Sequence, residues 1–251
     1  MRLEDKVAIV TGSSQGIGQS VALGFAAEGA HVCVTYRSYR EGGERVVQQI
    51  RDMGRRAILV ELDQSQADQV ERMVVATRQS LGPVDILVNN AATYPRCSWQ
   101  EMSEAKWDRM LDVNLKGQFL CAHAVTDEMI SRGQGKVINV SSVTFLAGMK
   151  NLTHYIDSKG GTIGLTRGMA RELGEFGICV NAVIPGAIMT PREIELSPDS
   201  EATYKWAMER QAIQRRGLPE DMVGAFVFLA SSDSDFCTGQ SINIDGGWVL
   251  Q

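Results

Sequence analysis

Seven short apolar runs rich in β-branched residues recur along the chain, at 7–10, 32–35, 57–62, 86–88, 136–140, 178–184 and 241–244. Longer segments of helical period fill the intervals. This alternation constrains the fold more than any other feature. A run that is hydrophobic at consecutive positions, not at every second one, belongs to a strand covered on both faces. Such strands, joined by helices, pair in parallel, because each crossover needs the length a helix supplies. Right-handed crossovers then place helices on both sides of the sheet. The expectation is an α/β chain with a doubly wound parallel seven-stranded sheet and helices on both faces.

At 251 residues the chain suits one domain, 1–251, built on a single sheet. A net charge of -5 gives no electrostatic support to a nucleic-acid or anionic-membrane partner. The first apolar run is far too short for a signal-peptide core or a membrane span, so a cytoplasmic location is expected. The five cysteines, Cys33, Cys97, Cys121, Cys179 and Cys237, are scattered and form no C-x-x-C pair. Neither a disulfide framework nor a zinc site is expected. His31, His123 and His154 lack metal-ligand spacing, and no metal is expected.

Helix limits are legible at Gly29, Gly54 and Gly82-Pro83, each a stop signal after a helical segment. Long helices are expected over 104–132 and 153–175. The stretch 185–218 is different: it holds Pro185, Pro191, Pro198 and a helical piece at 201–214. An excursion of that length reads as a substrate lid, at about 187–215.

Between the first run and the first helical segment lies Thr11-Gly12-Ser13-Ser14-Gln15-Gly16-Ile17-Gly18. The spacing G-x-x-x-G-x-G is a variant of the dinucleotide fingerprint. Gly12 serves the tight turn, Gly16 a close backbone approach to pyrophosphate, and Gly18 the packing of helix on strand. Ser14, Gln15 and Ile17 share the loop, whose N–H groups and helix N-terminus would hold phosphate. The sheet is therefore of Rossmann type.

Tyr155 and Lys159 stand four residues apart, on one face of a helix. A phenol ionises near pH ~10, too high for a base at neutral pH. A nearby cation favours the phenolate, so Lys159 is expected to lower the Tyr155 pKa.

Together these segments resemble a classical short-chain dehydrogenase/reductase over essentially the full length. The matching residues are Thr11–Gly18, Asp63, Asn89-Asn90-Ala91-Ala92, Asn114, Ser142, Tyr155 with Lys159, and Pro185-Gly186 with Thr190. Ala92 departs from the glycine usual there. The resemblance implies hydride transfer between a nicotinamide and a carbonyl or secondary alcohol. Tyr155 is then the acid/base, Lys159 its tuning cation and ribose ligand, and Ser142 the partner of the substrate oxygen. Asn114 would hold a water that relays protons from Lys159; a satisfied buried amide is the plainer reading. Asp63, with neighbouring Gln64, would meet adenine, or Asp63 would cap the following helix. Asn90, Ala91 and Ala92 would line the adenosine pocket. Pro185 and Gly186 would approach the nicotinamide, with the Ile188 backbone and the Thr190 hydroxyl at its carboxamide.

After the second run stand Tyr36, Arg37 and Ser38, with no carboxylate in the place where one would bind an unphosphorylated ribose. Arg37 suits a 2′-phosphate. NADP(H) is favoured and NAD(H) possible. The substrate pocket is expected from Tyr94, Pro95, Arg96, Thr144, Phe145, Leu146, Met149, Met189, Trp206 and Met208. That largely apolar set suits an aromatic or aliphatic ketone or alcohol. Arg96 would hold an anionic substituent or remain a solvated loop residue, and His154 is expected on a helix surface. A 3-oxoacyl-carrier-protein reductase or a glucose-type sugar dehydrogenase is the alternative, and an idle nucleotide-sensing scaffold the rival from another class. The family implies a homotetramer, with 104–132 and 153–175 pairing across a two-fold and 236–244 and 248–250 at a second interface.

Overall fold

The computed structural model describes residues 1–196 and 200–250; Pro198 of the expected lid lies outside them. The first half of the chain runs β1 (Val7–Val10), α1 (Gly16–Ala27), β2 (His31–Tyr36), α2 (Arg40–Asp52), β3 (Ala57–Glu61), α3 (Ala67–Ser80) and β4 (Ile86–Asn89). The second continues through α4 (Glu104–Leu111), α5 (Gly117–Arg132), β5 (Gly135–Val140), α6 (Thr144–Ala147) and α7 (Thr153–Leu173). It ends with β6 (Ile178–Pro185), α8 (Pro191–Leu196), α9 (Ser200–Met208), α10 (Pro219–Ala230) and β7 (Ser241–Ile244). All pairings are parallel, in the order β3-β2-β1-β4-β5-β6-β7.

The consecutive hydrophobics of β1 explain the two-sided architecture. Ala8 and Val10 face one cluster, which includes Phe25 of α1, Ile50 of α2 and Phe226 of α10. Val7 and Ile9 face the other, with Met73 of α3 and Val125 and Met129 of α5. Both faces are dry, as the pattern requires. Cys33 and Cys121 are buried, free thiols that burial pushes up to about 12, so they behave as small hydrophobes. The strand order reverses between β2-β1 and β1-β4. At that switch point a crevice opens at the carboxyl ends of the strands.

Two expected helices are altered. The segment 104–132 is not one helix, because a π turn at Asp112–Lys116 separates α4 from α5. The piece expected at 201–214 stops at Met208. There the buried Gln211 turns its amide back onto the chain, donating from Nε2 to the carbonyls of Ile213 (2.5 Å) and Arg215. The Ile213 N–H in turn donates to the Gly246 carbonyl at 2.9 Å, tying this turn to the C-terminal tail.

Candidate active site

The segments after β1, β4, β5 and β6 converge on a cavity of about 680 Å³. After β4 the chain runs extended, and Asn90, Ala92, Tyr94 and Arg96 all line the cavity while Thr93 and Pro95 do not. That is the two-residue period of an extended strand. Asn114 holds this row in place: its Oδ1 accepts from the Thr93 N–H and its Nδ2 donates to the Thr93 carbonyl, both at 2.8 Å. Nδ2 also reaches Ser158 Oγ at 3.2 Å. Asn114 is fully buried and sits in the π turn, so the locally unfavourable amide has a backbone partner on a neighbouring segment.

The glycine loop is stitched to the sheet. Ser13 Oγ donates to the Val10 carbonyl at 2.7 Å, and Thr35 Oγ1 accepts from the Gly12 N–H at 2.9 Å. Thr11 Oγ1 accepts from the N–H groups of Asn90 and Ala91 at 3.0 and 2.9 Å. Gly12 has φ +65°, and a Cβ there would stand 2.9 Å from Ala91 Cα. A Cβ on Gly18 would lie 2.5 Å from both Asn90 Nδ2 and the Gly12 carbonyl oxygen. Gln15, at the N-cap of α1, makes no side-chain capping bond, and the first turn carries no acid. First-turn N–H groups without an internal partner, on a loop stripped of Cβ atoms, fit a dinucleotide pyrophosphate. Ile17, Pro185, Gly186, Ile188 and Thr190 carry the cavity on from that loop. Gly16 faces the Thr190 methyl, with a built Cβ at 3.4 Å.

The predicted adenosine-side residues follow β2 and β3 on the same edge. Tyr36 is buried, its hydroxyl donating to Glu61 Oε2 at 3.2 Å, while Arg37 and Ser38 are exposed. Asp63 does not cap α3. Its Oδ1 accepts from the Ser65 hydroxyl at 2.6 Å and its Oδ2 pairs with Arg109 at 2.8 Å. Gln64 Nε2 donates to the carbonyls of Ala91 and Val113 at 2.9 and 2.8 Å, bracing the neighbouring loop.

Tyr155 projects from α7 into the cavity, and the Ser142 side chain, after β5, lies beside its phenol. Thr144 Oγ1 donates to Ser142 Oγ at 3.0 Å. Ser141 also borders the cavity, but its hydroxyl is spent on the Lys159 carbonyl at 2.8 Å. Lys159 is 1% exposed; its Nζ stands 5.6 Å from the centre of the Tyr155 ring and donates to the Val140 carbonyl at 2.8 Å. Here the structure corrects the expected electrostatics. Burial pushes the Tyr155 hydroxyl up to about 12, with the Ser142 side chain opposing the rise. Burial also draws the Lys159 ammonium down to about 7. Burial thus weighs against the charged form of each group, while Lys159 Nζ donates a hydrogen bond to the Val140 carbonyl that favours its ammonium.

A family model described as enoyl-(acyl carrier protein) reductase matches residues 12–249. The chain belongs to the classical short-chain dehydrogenase/reductase family. It is 37% identical over 246 residues to the 3-oxoacyl-(acyl-carrier-protein) reductase FabG of Staphylococcus epidermidis, covering 98% of this chain and 100% of that one. It is 37% identical to the (2S)-((R)-hydroxy(phenyl)methyl)succinyl-CoA dehydrogenase subunit BbsD of Thauera aromatica, covering 100% and 99%. Among solved structures, a gluconate 5-dehydrogenase from Burkholderia cenocepacia in complex with NADP and tartrate superposes with a TM-score of 0.92. That chain is 34% identical, with 98% of this chain and 96% of the other covered. The protein is thus an NAD(P)-dependent oxidoreductase of alcohols and ketones.

Within this dehydrogenase/reductase the cavity wall differs from the expected one. Tyr94, Arg96, Thr144, Met149 and Trp206 line it. Phe145 does not: it packs against the cluster of Val143, Ile163, Ala182 and Ile184, next to Gly160 of α7. Met189 is 39% exposed and lies outside the lining, its N–H fixed to the Gly217 carbonyl at 2.8 Å. Pro95, Leu146 and Met208 are also outside it. His154, expected at a helix surface, is buried with Nδ1 unpartnered, and burial lowers its pKa. Leu152, Glu193 and Trp248 are among the wall residues that escaped the sequence reading. Trp248 meets Trp206 edge-to-face at 4.8 Å between ring centres. The apolar tail 248–250 was the available signal, but only the folded chain brings it to α9.

Proposed function

We propose that this dehydrogenase/reductase reduces the carbonyl of a small, apolar or aromatic ketone to a secondary alcohol. NADP(H) is the favoured cofactor and NAD(H) the lesser one. One observation carries the reading: a phenol beside the Ser142 hydroxyl, held protonated by burial, at the head of a cavity walled by Tyr94, Trp206 and Trp248. A phenol with its proton on is the acid that carbonyl reduction requires. The nicotinamide, when bound, supplies the hydride.

The chain's own residues do the remainder. Ser142, oriented by Thr144, fixes the carbonyl oxygen, and Tyr155 gives it the proton. Lys159 sits behind the phenol as the next proton store, with Asn114 and its π turn holding the water that refills it. Segment 187–215 acts as the lid. It is anchored where Ile188 pairs with Gly217 and where Arg216 meets Glu193 at 3.0 Å. Arg37 and Ser38 await a 2′-phosphate: both are exposed beside the adenosine end, with no acid in their place. BbsD, named for a phenyl-bearing substrate, supports the aromatic body. The relatives named as 3-oxoacyl-carrier-protein reductases favour a 3-oxoacyl thioester as the second reading.

Reduced-nicotinamide absorbance followed with a panel of aryl ketones, 3-oxoacyl thioesters and sugars tests both readings. Turnover confined to sugars would overturn both. On the same panel, kcat/KM is expected to be higher with NADP(H) than with NAD(H), and the reverse order refutes the Arg37 assignment.

The assembly we propose is a homotetramer. Leu111 of α4, Leu115 of the π turn and Phe119 of α5 lie with Leu165 of α7 along one shallow, largely apolar depression, and Phe236 and Leu250 stand exposed near the C-terminal strand. Sedimentation is expected to give four times the 27.5 kDa subunit mass, and a single-subunit mass overturns this. The free cysteines accord with a cytoplasmic location.

A further inference from the structure

We infer that Arg96 is the recognition group for a carboxylate carried by the substrate, set across the cavity from the carbonyl that is reduced. The inference rests on the reading of this cavity as the seat of an apolar carbonyl substrate, and adds the substituent at its far end.

Charge bookkeeping around the cavity isolates this residue. Among the described residues three charged side chains line it: Arg96, Lys159 and Glu193. Lys159 belongs to the proton-handling pair, and Glu193 is neutralised by Arg216 at 3.0 Å. Arg96 is exposed, and no hydrogen bond or ion pair reaches it among the described residues. An unanswered cation at the mouth of an apolar cavity, in a chain of net charge -5, is a local departure from the protein's overall sign. A field of that kind draws in an anion.

Position makes the cation useful to a substrate. Arg96 and Tyr94 face the same way along the extended segment, and their Cα atoms are at most about 7 Å apart. The Tyr94 ring lies 5.9 Å from the Tyr155 ring, so the row leads from the reacting end outward to the guanidinium. The backbone beneath Arg96 is fixed. The Cys97 N–H donates to the Asn151 carbonyl at 2.8 Å, and Cys97 is buried. On the other side, Asn114 clamps Thr93. A planar guanidinium on a fixed base suits the bidentate geometry of a carboxylate, whereas an ammonium would act only as a point charge.

The test separates binding from turnover. Calorimetry is run on the full-length protein, with and without NADP+, using 4-phenylbutanoate and its neutral amide. The carboxylate is expected to bind at least tenfold more tightly than the amide. Arg96→Ala should remove that preference and Arg96→Lys restore part of it. Equal binding of acid and amide by the wild type, or an unchanged preference in Arg96→Ala, overturns the inference. In parallel, 4-oxo-4-phenylbutanoate, 6-oxo-6-phenylhexanoate and their methyl esters are assayed as substrates. Arg96→Ala should raise KM for at least one acid by tenfold or more, leaving kcat and the ester KM within about threefold. Loss on acid and ester alike overturns it too. If none of the four is turned over while the calorimetric preference holds, the ketone-reductase reading fails and the carboxylate site stands.

Discussion

Tyr155→Phe is expected to lose at least ~10²-fold in kcat, the usual size of a general acid–base contribution, while cofactor binding is retained. The substitution removes one oxygen and leaves the ring. The ring's neighbours, Tyr94 at 5.9 Å and Lys159 at 5.6 Å, therefore keep their contacts. The phenol's interaction with Ser142 is lost, but the Ser142 hydroxyl still has Thr144 Oγ1 at 3.0 Å, so no buried group is orphaned. The lesion should fall on the proton step alone. Fluorescence titration with NADPH should give a Kd within about threefold of wild type, and single-turnover kinetics should carry the whole loss. A mutant that turns over near the wild-type rate would falsify the assignment of Tyr155 as the acid.

The sheet was legible because its strands are buried on both faces. Ile9 and Val10 point into opposite clusters, so both must be apolar, and consecutive apolar residues are visible without a structure. Gly12 and Gly18 were legible for a related reason: a position where a Cβ would strike backbone or a fixed amide leaves no choice of residue. The π turn was hidden, since residues 112–116 keep an ordinary helical composition and the interruption comes from Asn114 reaching across to Thr93. The end of α9 depended on Gln211 folding back, and the meeting of Trp206 with Trp248 on a tail far away in sequence. The Tyr155–Lys159 spacing correctly put both groups on one helix. Its electrostatic setting was not legible, because a spacing carries no information about burial or about the Val140 carbonyl that accepts a hydrogen bond from the lysine.

That carbonyl also sets the behaviour of Lys159→Met. Lys159 has its folded pKa drawn from 10.5 to about 7 by burial. A depressed lysine is charged in both states below pH ~7, where folding bears the full cost of burying the cation. Between about 7 and 10.5 the folded chain sheds the proton while the unfolded chain keeps it, so the cost shrinks as pH rises. Methionine has similar length and no charge to bury. Val140's carbonyl, left by the ammonium, still accepts from Gln118 Nε2 at 3.3 Å. Lys159→Met is therefore expected to raise the Tm of the cofactor-free protein by at least about 5 °C at pH 6, taking 2–4 °C per kcal/mol for a chain of this size. The gain should fall steadily toward pH 10. Activity should move the other way, down by ~10²-fold or more at neutral pH, because the phenol loses its proton store. Calorimetric scans across the pH range decide the first half. A mutant destabilised at pH 6, or stabilised equally at pH 6 and pH 10, would mean that the buried ammonium carries no such cost. A variant more stable and less active than the wild type would mark Lys159 as a residue kept for its chemistry at the expense of the fold.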